Sequence, residues 1–298
     1  MKIFNFKKID AFATENSEGN PAGYIKLASK NGISPIEMLQ IAKELKGFVN
    51  EVGYIYKINN NEFDLKYYSS EKEVDFCGHA TIAIMYDIIK NDTNLLNSNI
   101  LTIRTNKGNL IVENRLEKED AVFIMSPIPE KKGNVPTINT IATSLNIKKE
   151  EIEQKYPIRS INAGLTTLIV PIKSLDSIVK INPDINVLKE FCINNNIDII
   201  EVFTDSVSDT ENDFRVRVFA PTFGYLEDPA TGSGNSAFGY YLIKNKMWIN
   251  ETVTIEQNGI LDKYNIVKLQ QTKDDNGIDR VLFGGGAITR IEGKYMIY

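Results

Sequence analysis

Two short glycine-containing steps are the parts of this sequence best suited to binding a negatively charged group. They are Gly78–Ala80 and Gly232–Gly234, and a largely apolar stretch follows each one. If each step begins a helix, its first N–H groups lack partners within the helix, and the helix dipole attracts negative charge there. Glycine also lets a ligand approach the backbone closely. The steps could therefore hold a carboxylate or a developing oxyanion, or they could be two capped helices without a ligand.

The central residue differs between the two steps, as expected if two related sites had divided their tasks. His79 occupies the first step and Ser233 the second. His79 is the single histidine of the chain, so any mechanism that needs an imidazole must use it. Cys77 precedes the first step, where a helix start could stabilise a thiolate. The matching position in the second step is Thr231, so the chain lacks a matched pair of cysteines.

Four acidic residues near these steps are open to two interpretations. Asp228 opens the run DPATGSGN and could orient an imidazole or hydroxyl, or it could close an Asx-type turn or cap a helix. For Glu73 and Asp75 we favour the structural interpretation, in which they lie in a turn or at a helix end. Glu51 stands at the start of an alternating apolar stretch in NEVGYIY, where a carboxylate is usually a solvated strand end. Nothing local marks Glu51 as catalytic.

The elements that must position these residues occur twice along the chain. Residues 78–91 and 232–245 coincide at six of fourteen positions with an offset of 154, and both have helical apolar spacing. Upstream, 61–70 and 212–221 alternate as strands do. Chance similarity between apolar segments is the alternative. A duplication predicts two pseudo-symmetric domains, each with a buried central helix, joined within the Pro/Gly/Lys stretch 126–136.

Composition excludes several classes of protein. The 298 residues are 42% hydrophobic and 24% charged, which is typical of a globular protein. The net charge of −5 without a basic cluster argues against a nucleic-acid partner. No apolar run reaches membrane-spanning length, and the N-terminus lacks signal-peptide features, so we expect no membrane association and a cytoplasmic location. Two cysteines are too few for a disulfide framework or a Cys-rich zinc site.

Five segments, in this order and approximate spacing, resemble the phenazine-biosynthesis PhzF-like isomerase family. They are DAFATENSEGNPAGYI, NEVGYIY, EVDFCGHATIA, EDPATGSGN and GGGAITRIEGKY. GHAT and DPATGS together are highly specific, and the resemblance covers nearly the whole chain. It implies an α+β, diaminopimelate-epimerase-like fold, in which two pseudo-symmetric domains each curl a mostly antiparallel sheet around a central helix. We expect domains at 1–128 and 129–298, with a final strand that could cross back to the first.

The resemblance also assigns roles to residues. It implies that Glu51 is the proton-transferring acid/base, and that His79, Asp228 and Ser233 shape and orient the substrate in a cleft between the domains. Desolvation on domain closure is expected to raise the pKa of Glu51. The remaining expected substrate contacts, which include the helix-end amides that would hold a carboxylate, are Asn20, Gly78, Ala80, Gly232 and Gly234.

The predicted function is a cofactor-independent isomerase that moves a proton within a small carboxylate-bearing metabolite. No cofactor is expected, because the proton stays within the site, and no metal is expected, because one histidine and unpaired cysteines cannot build an ordinary metal site. A homodimer is possible. One rival is a catalytically silent protein on the same scaffold that binds a small metabolite or a protein partner. Another is a lyase or racemase, for which a second base would be needed and Cys77 is the only candidate.

Overall fold

The computed structural model describes residues 1–298, which divide into two compact units. Unit 1 comprises Met1–Met125 and Gly284–Tyr298, and unit 2 comprises Ser126–Phe283. The last segment of the chain thus belongs with the N-terminal unit. The assignment of folding domains to 1–128 and 129–298 stays a prediction. No helix is both long and apolar enough to span a membrane.

Unit 1 is built around one long helix, with three shorter helices at its edges. Its strands are β1 (Lys2–Ala11), β2 (Asn20–Leu27), β3 (Glu51–Lys57), β4 (Glu62–Ser69), β5 (Glu73–Val74), β6 (Ile100–Thr105), β7 (Gly108–Asn114) and β8 (Val122–Met125). Its helices are α1 (Pro35–Glu44), α2 (Gly78–Lys90), α3 (Thr93–Leu96) and α4 (Leu116–Glu119).

Unit 2 also has one central helix and three shorter helices, and it adds two 3₁₀ turns. Its strands are β9 (Arg159–Asn162), β10 (Thr166–Pro171), β11 (Ile199–Thr204), β12 (Phe214–Phe219), β13 (Glu227–Asp228), β14 (Thr252–Gln257) and β15 (Asn265–Lys273). Its helices are α5 (Ile138–Ser144), α6 (Leu175–Lys180), α7 (Ile185–Asn194) and α8 (Gly232–Lys244), with 3₁₀ turns at Lys149–Glu151 and Pro221–Phe223. The chain ends with β16 (Asp279–Gly285) and β17 (Ala287–Ile297).

The two units repeat one strand order. In unit 1, β3 runs parallel to β2 and antiparallel to β4, which also pairs with β5 and β6. In unit 2, β11 runs parallel to β10 and antiparallel to β12, which also pairs with β13 and β14. Most pairs within each unit are antiparallel. The strand–turn–helix pattern predicted twice from the sequence is therefore present twice.

The central helices form the core because nearly every side chain they carry is apolar and buried. Helix α2 packs against β1, β2, β3, β8 and β17, so the strands of unit 1 surround it. Helix α8 packs in the same way against β9, β10, β11 and β15. Asn91 and Asn245 follow the two helices with identical backbone angles (φ −99°, ψ 7°). The predicted epimerase-like arrangement of a mostly antiparallel sheet around a buried helix is confirmed in each unit.

Strand alternation decides which face of β3 each side chain occupies. Val52 and Tyr54 pack with Met38 and Ile41 of α1 on the outer face. Gly53 faces α2, and a Cβ atom at Gly53 would lie 2.3 Å from the Cδ1 atom of Ile84. Glycine therefore lets the strand approach the helix closely.

Replacement of Gly53 by alanine should destabilise the protein by about 1–3 kcal/mol, because the added methyl group overlaps Ile84 in a filled core. Ile84→Val removes the overlapping Cδ1 atom and alone should cost about 0.5–1.5 kcal/mol. The destabilisation of the double variant should be well below the sum of the destabilisations of the two single variants. Urea unfolding of the four proteins measures this, and strictly additive costs would contradict the close packing of β3 on α2.

Candidate active site

Glu51 is the first residue of β3, and the alternation of the strand points it to the same side as Gly53, toward α2. Its backbone is paired with Ala22 of β2 and Ser69 of β4. Asn20 is 2% exposed, and its side-chain oxygen accepts a hydrogen bond of 3.1 Å from the amide of Asn50. Asn20 thus holds the residue that precedes Glu51, while its predicted substrate contact stays a prediction.

Glu51 and His79, which lie on different elements, meet in unit 1. The Nε2 atom of His79 lies 3.2 Å from the Oε2 atom of Glu51, and their side chains are 13% and 22% exposed. The ring is not aligned for a directed hydrogen bond, so Oε2 is buried without a hydrogen-bond partner. The Sγ atom of Cys77 lies 3.4 Å from the other ring nitrogen, Nδ1. The side chain that sequence reasoning left as a possible strand end is therefore an enclosed carboxylate beside an imidazole.

The pKa values of Glu51, His79 and Cys77 are shifted by burial and by one another. Burial acts to raise the pKa of Glu51, but the adjacent His79 and Cys77 outweigh it, and the pKa is lowered from its ordinary value. Burial acts to lower the pKa of His79, but the Cys77 sulfur and the Glu51 carboxylate raise it well above its ordinary value. Burial and Glu51 together raise the pKa of the Cys77 thiol. In this structure the net shift for Glu51 is thus downward, because the imidazole next to the carboxylate stabilises its charged form. The rise expected on domain closure stays a prediction.

Both central helices begin without a side-chain cap. The N-cap residues, Cys77 of α2 and Thr231 of α8, accept no hydrogen bond from the first turn. Ser34 and Asp184 do cap α1 and α7. The first turns of α2 and α8, which contain the predicted anion-binding steps, therefore lack the N-cap side chain that usually accepts hydrogen bonds from these amides.

In unit 2, Ser233 and Asp228 lie near the start of α8. Ser233 is the second residue of the helix. A side chain at Gly164, which has a φ of +112°, would come within 3.3 Å of the Ser233 hydroxyl. The Asp228 carboxylate accepts a 3.3 Å hydrogen bond from the amide of Ala230, which is an Asx-type turn. An additional orienting role for Asp228 stays a prediction.

The glycines of the second step are explained by packing inside the protein. A Cβ atom at Gly232 would lie 2.2 Å from the ring of Phe283, and one at Gly234 would lie 2.8 Å from Oε2 of Glu201. Close approach of a ligand is therefore not needed to account for glycine at these two positions. The roles of their amides in binding substrate are separate and stay predictions.

Glu201 is a buried acid that sequence reasoning did not single out. It lies on β11 with no exposed surface, and neither of its carboxylate oxygens has a hydrogen-bond partner. Burial raises its pKa well above the ordinary value. Glu201 lies opposite Val218 in unit 2, which is the position that Gly53 occupies opposite Tyr67 in unit 1. The second repeat therefore has an acid where the first has a glycine. The only signal in the sequence is one acidic residue within an apolar strand, IIEVF.

The pH dependence of stability should report on Glu201. The Glu201 carboxyl loses its proton near pH ~4.3 in the unfolded chain but only at higher pH in the folded protein. Between these two pKa values, Glu201 therefore makes the free energy of unfolding fall as pH rises. The contribution is up to about 1.4 kcal/mol per pH unit in that interval. Glu201→Gln should remove it, while the exposed Glu190→Gln should not. Urea unfolding at several pH values from about 5 to about 7 measures the slope; equal slopes for all three proteins would show that Glu201 is ionised.

A mixed group of three ligating side chains also exists in unit 1. One ligand atom each from Glu51, Cys77 and His79 lies within 4.8 Å of the others. The counts of cysteine and histidine exclude a Cys-rich or His-rich metal site, but they leave room for a site that combines one of each with a carboxylate.

Comparison with known proteins connects this geometry to a family. Residues 9–293 match the family model of phenazine biosynthesis-like proteins, PhzC-PhzF. An uncharacterized isomerase of Clostridium acetobutylicum is 27% identical over 306 residues, which is 100% of this chain and 99% of the relative. Trans-2,3-dihydro-3-hydroxyanthranilate isomerase of Pseudomonas fluorescens is 22% identical over 299 residues, 99% of this chain and 100% of its own.

Solved structures confirm the fold. The crystal structure of a PhzF-family phenazine biosynthesis protein from Bacillus anthracis has a TM-score of 0.85 at 24% identity and covers 100% of both chains. A hydroxyproline epimerase from Agrobacterium vitis has a TM-score of 0.58 at 11% identity, over 99% of this chain and 91% of its own. The architecture is thus shared with epimerases as well as with the family itself.

Proposed function

The chain belongs to the phenazine biosynthesis-like (PhzC-PhzF) family and is an isomerase, and on this premise we propose that Glu51 is the acid/base that moves a proton within a small carboxylate-bearing metabolite. The observation that carries the proposal is the 3.2 Å contact of Glu51 with His79 beside the uncapped first turn of α2. An enclosed carboxylate next to an imidazole at the start of a helix suits the transfer of a proton between carbon atoms.

In the proposed reaction, Glu51 acts first as the base. Its lowered pKa keeps it a carboxylate at neutral pH, and it takes a proton from one carbon atom of the substrate. That C–H bond breaks, an O–H bond forms on Glu51, and the electron pair is delocalised toward a substrate oxygen or along a double bond. The same proton then returns to a second carbon atom, so the double bond moves and no electron acceptor is consumed.

The His79 imidazolium favours the second half of this cycle. Once Glu51 is protonated, the adjacent positive charge makes it a stronger acid, which assists return of the proton to carbon. The intermediate carries negative charge, for which the imidazolium and the first-turn amides of α2 are suitable partners. We propose that Ser233 and the amides of α8 hold the substrate carboxylate.

The relative from Pseudomonas fluorescens supplies a first compound to test. Its name, trans-2,3-dihydro-3-hydroxyanthranilate isomerase, describes a carboxylate-bearing ring whose double bonds can be moved by such a proton transfer. We propose this chemical class, unsaturated small carboxylates with an acidic C–H bond, as the substrate class of the present protein. A cytoplasmic site of action is part of the same proposal.

Glu51→Gln should fold normally and lose about 10²–10⁴-fold in turnover, because the amide keeps the size of the side chain but cannot exchange a proton. The exposed Glu71→Gln in the same unit is the matched control and should retain full activity. Proton NMR in D₂O follows isomerisation of trans-2,3-dihydro-3-hydroxyanthranilate and a panel of related unsaturated carboxylates. A compound that wild type and Glu51→Gln isomerise at similar rates would show that Glu51 is not the proton carrier.

A further inference from the structure

A second kind of ligand fits the side chains around Glu51, and it has no part in proton transfer. We propose that Glu51, Cys77 and His79 form a binding site for a thiophilic divalent cation such as Zn²⁺, and that the bound cation blocks the isomerase site. This site goes beyond the proposed function, because cation binding depends on three ligand atoms and not on any turnover of substrate.

The ligand atoms already have nearly the spacing that zinc requires. Zinc takes thiolate, imidazole and carboxylate ligands at roughly 2.0–2.3 Å, so two ligand atoms of a tetrahedral site lie about 3.4–3.6 Å apart. In the protein, Nε2 of His79 is 3.2 Å from Oε2 of Glu51 and 3.9 Å from Sγ of Cys77. All three ligand atoms lie within 4.8 Å of one another. Small side-chain rotations would complete the geometry.

The state of each ligand atom also favours coordination. Oε2 of Glu51 is buried without a hydrogen bond and contacts the His79 ring, so a cation could take it as a ligand without breaking a hydrogen bond. Cys77 is a free cysteine that forms no disulfide. On binding, the thiol and the imidazolium release their protons to solvent, and a thiolate and a carboxylate then neutralise the two charges of the cation. Those two negative ligands also offset the unfavourable dipole at the start of α2.

Three protein ligands leave a fourth coordination position for water or a small anion. The side chains of His79 and Glu51 are partly exposed, at 13% and 22%, which gives a cation a route to the site. A cation held there uses the carboxylate oxygen and the ring nitrogen that the proposed proton transfer needs. Zinc should therefore exclude catalysis, and its action on the enzyme should be inhibitory.

Titration of the purified full-length protein with Co²⁺ tests the site directly, because cobalt reports its ligands through its absorption spectrum. Wild-type protein should bind one Co²⁺ with a thiolate-to-cobalt charge-transfer band in the near ultraviolet, and one equivalent of Zn²⁺ should abolish the band. Cys77→Ser should lose the band and weaken binding at least about ten-fold. Cys192→Ala, which removes the other buried cysteine, should behave as wild type.

His79→Gln keeps the Cys77 thiolate but loses the imidazole ligand, so it should weaken Co²⁺ binding at least about ten-fold, and it tests the site if the serine variant fails to fold. Absence of the band in wild type, or a band that Cys192→Ala removes and Cys77→Ser retains, would overturn the proposal. Cobalt binding without a thiolate band would also overturn it, because the cation would then be elsewhere. These outcomes are independent of the rate measured for Glu51→Gln, so either proposal can fail without the other.

Discussion

The close contact between the Glu51 carboxylate and the His79 imidazole is the interaction on which the candidate active site depends. Each group alone would be expensive to enclose as a charge, and removal of one partner would leave the other uncompensated. Together each favours the charged form of the other, which lowers the pKa of Glu51 and raises the pKa of His79. The pairing requires the start of β3 to lie beside the start of α2, and Gly53 provides the close strand–helix approach that allows it.

The two repeats use one scaffold for different chemistry. Helices α2 and α8 both begin without a side-chain cap, so each offers amides to an anion. The second position of the helix is an imidazole in one repeat and a hydroxyl in the other. The strand beneath differs too, because Gly53 in unit 1 is matched by the buried Glu201 in unit 2. In the proposed function, unit 1 supplies the proton-transferring Glu51, and unit 2 supplies the Ser233 hydroxyl and the α8 amides for substrate binding.

Much of this arrangement could be predicted from the sequence, because it depends on local periodicity and repeated spacing. The offset of 154 placed both central helices, and the helices begin at Gly78 and Gly232 as expected. The electrostatic details could not be predicted in the same way. The direction of the pKa shift of Glu51 depends on His79, a neighbour from another element. The reason for glycine at position 232 lies in the ring of Phe283, which no local pattern indicates.

The protonation state of His79 shows whether Glu51 and His79 form an ion pair, and it is simple to measure because the sequence contains only this one histidine. Nitrogen NMR of protein labelled at histidine therefore gives one pair of ring signals, and their pH titration reports the pKa of His79 without assignment. We expect an imidazolium at neutral pH with a pKa well above 6.5, and a lower pKa in Glu51→Gln, where the carboxylate is absent. A neutral ring at pH ~7 in wild type, or the same pKa in both proteins, would contradict the ion pair.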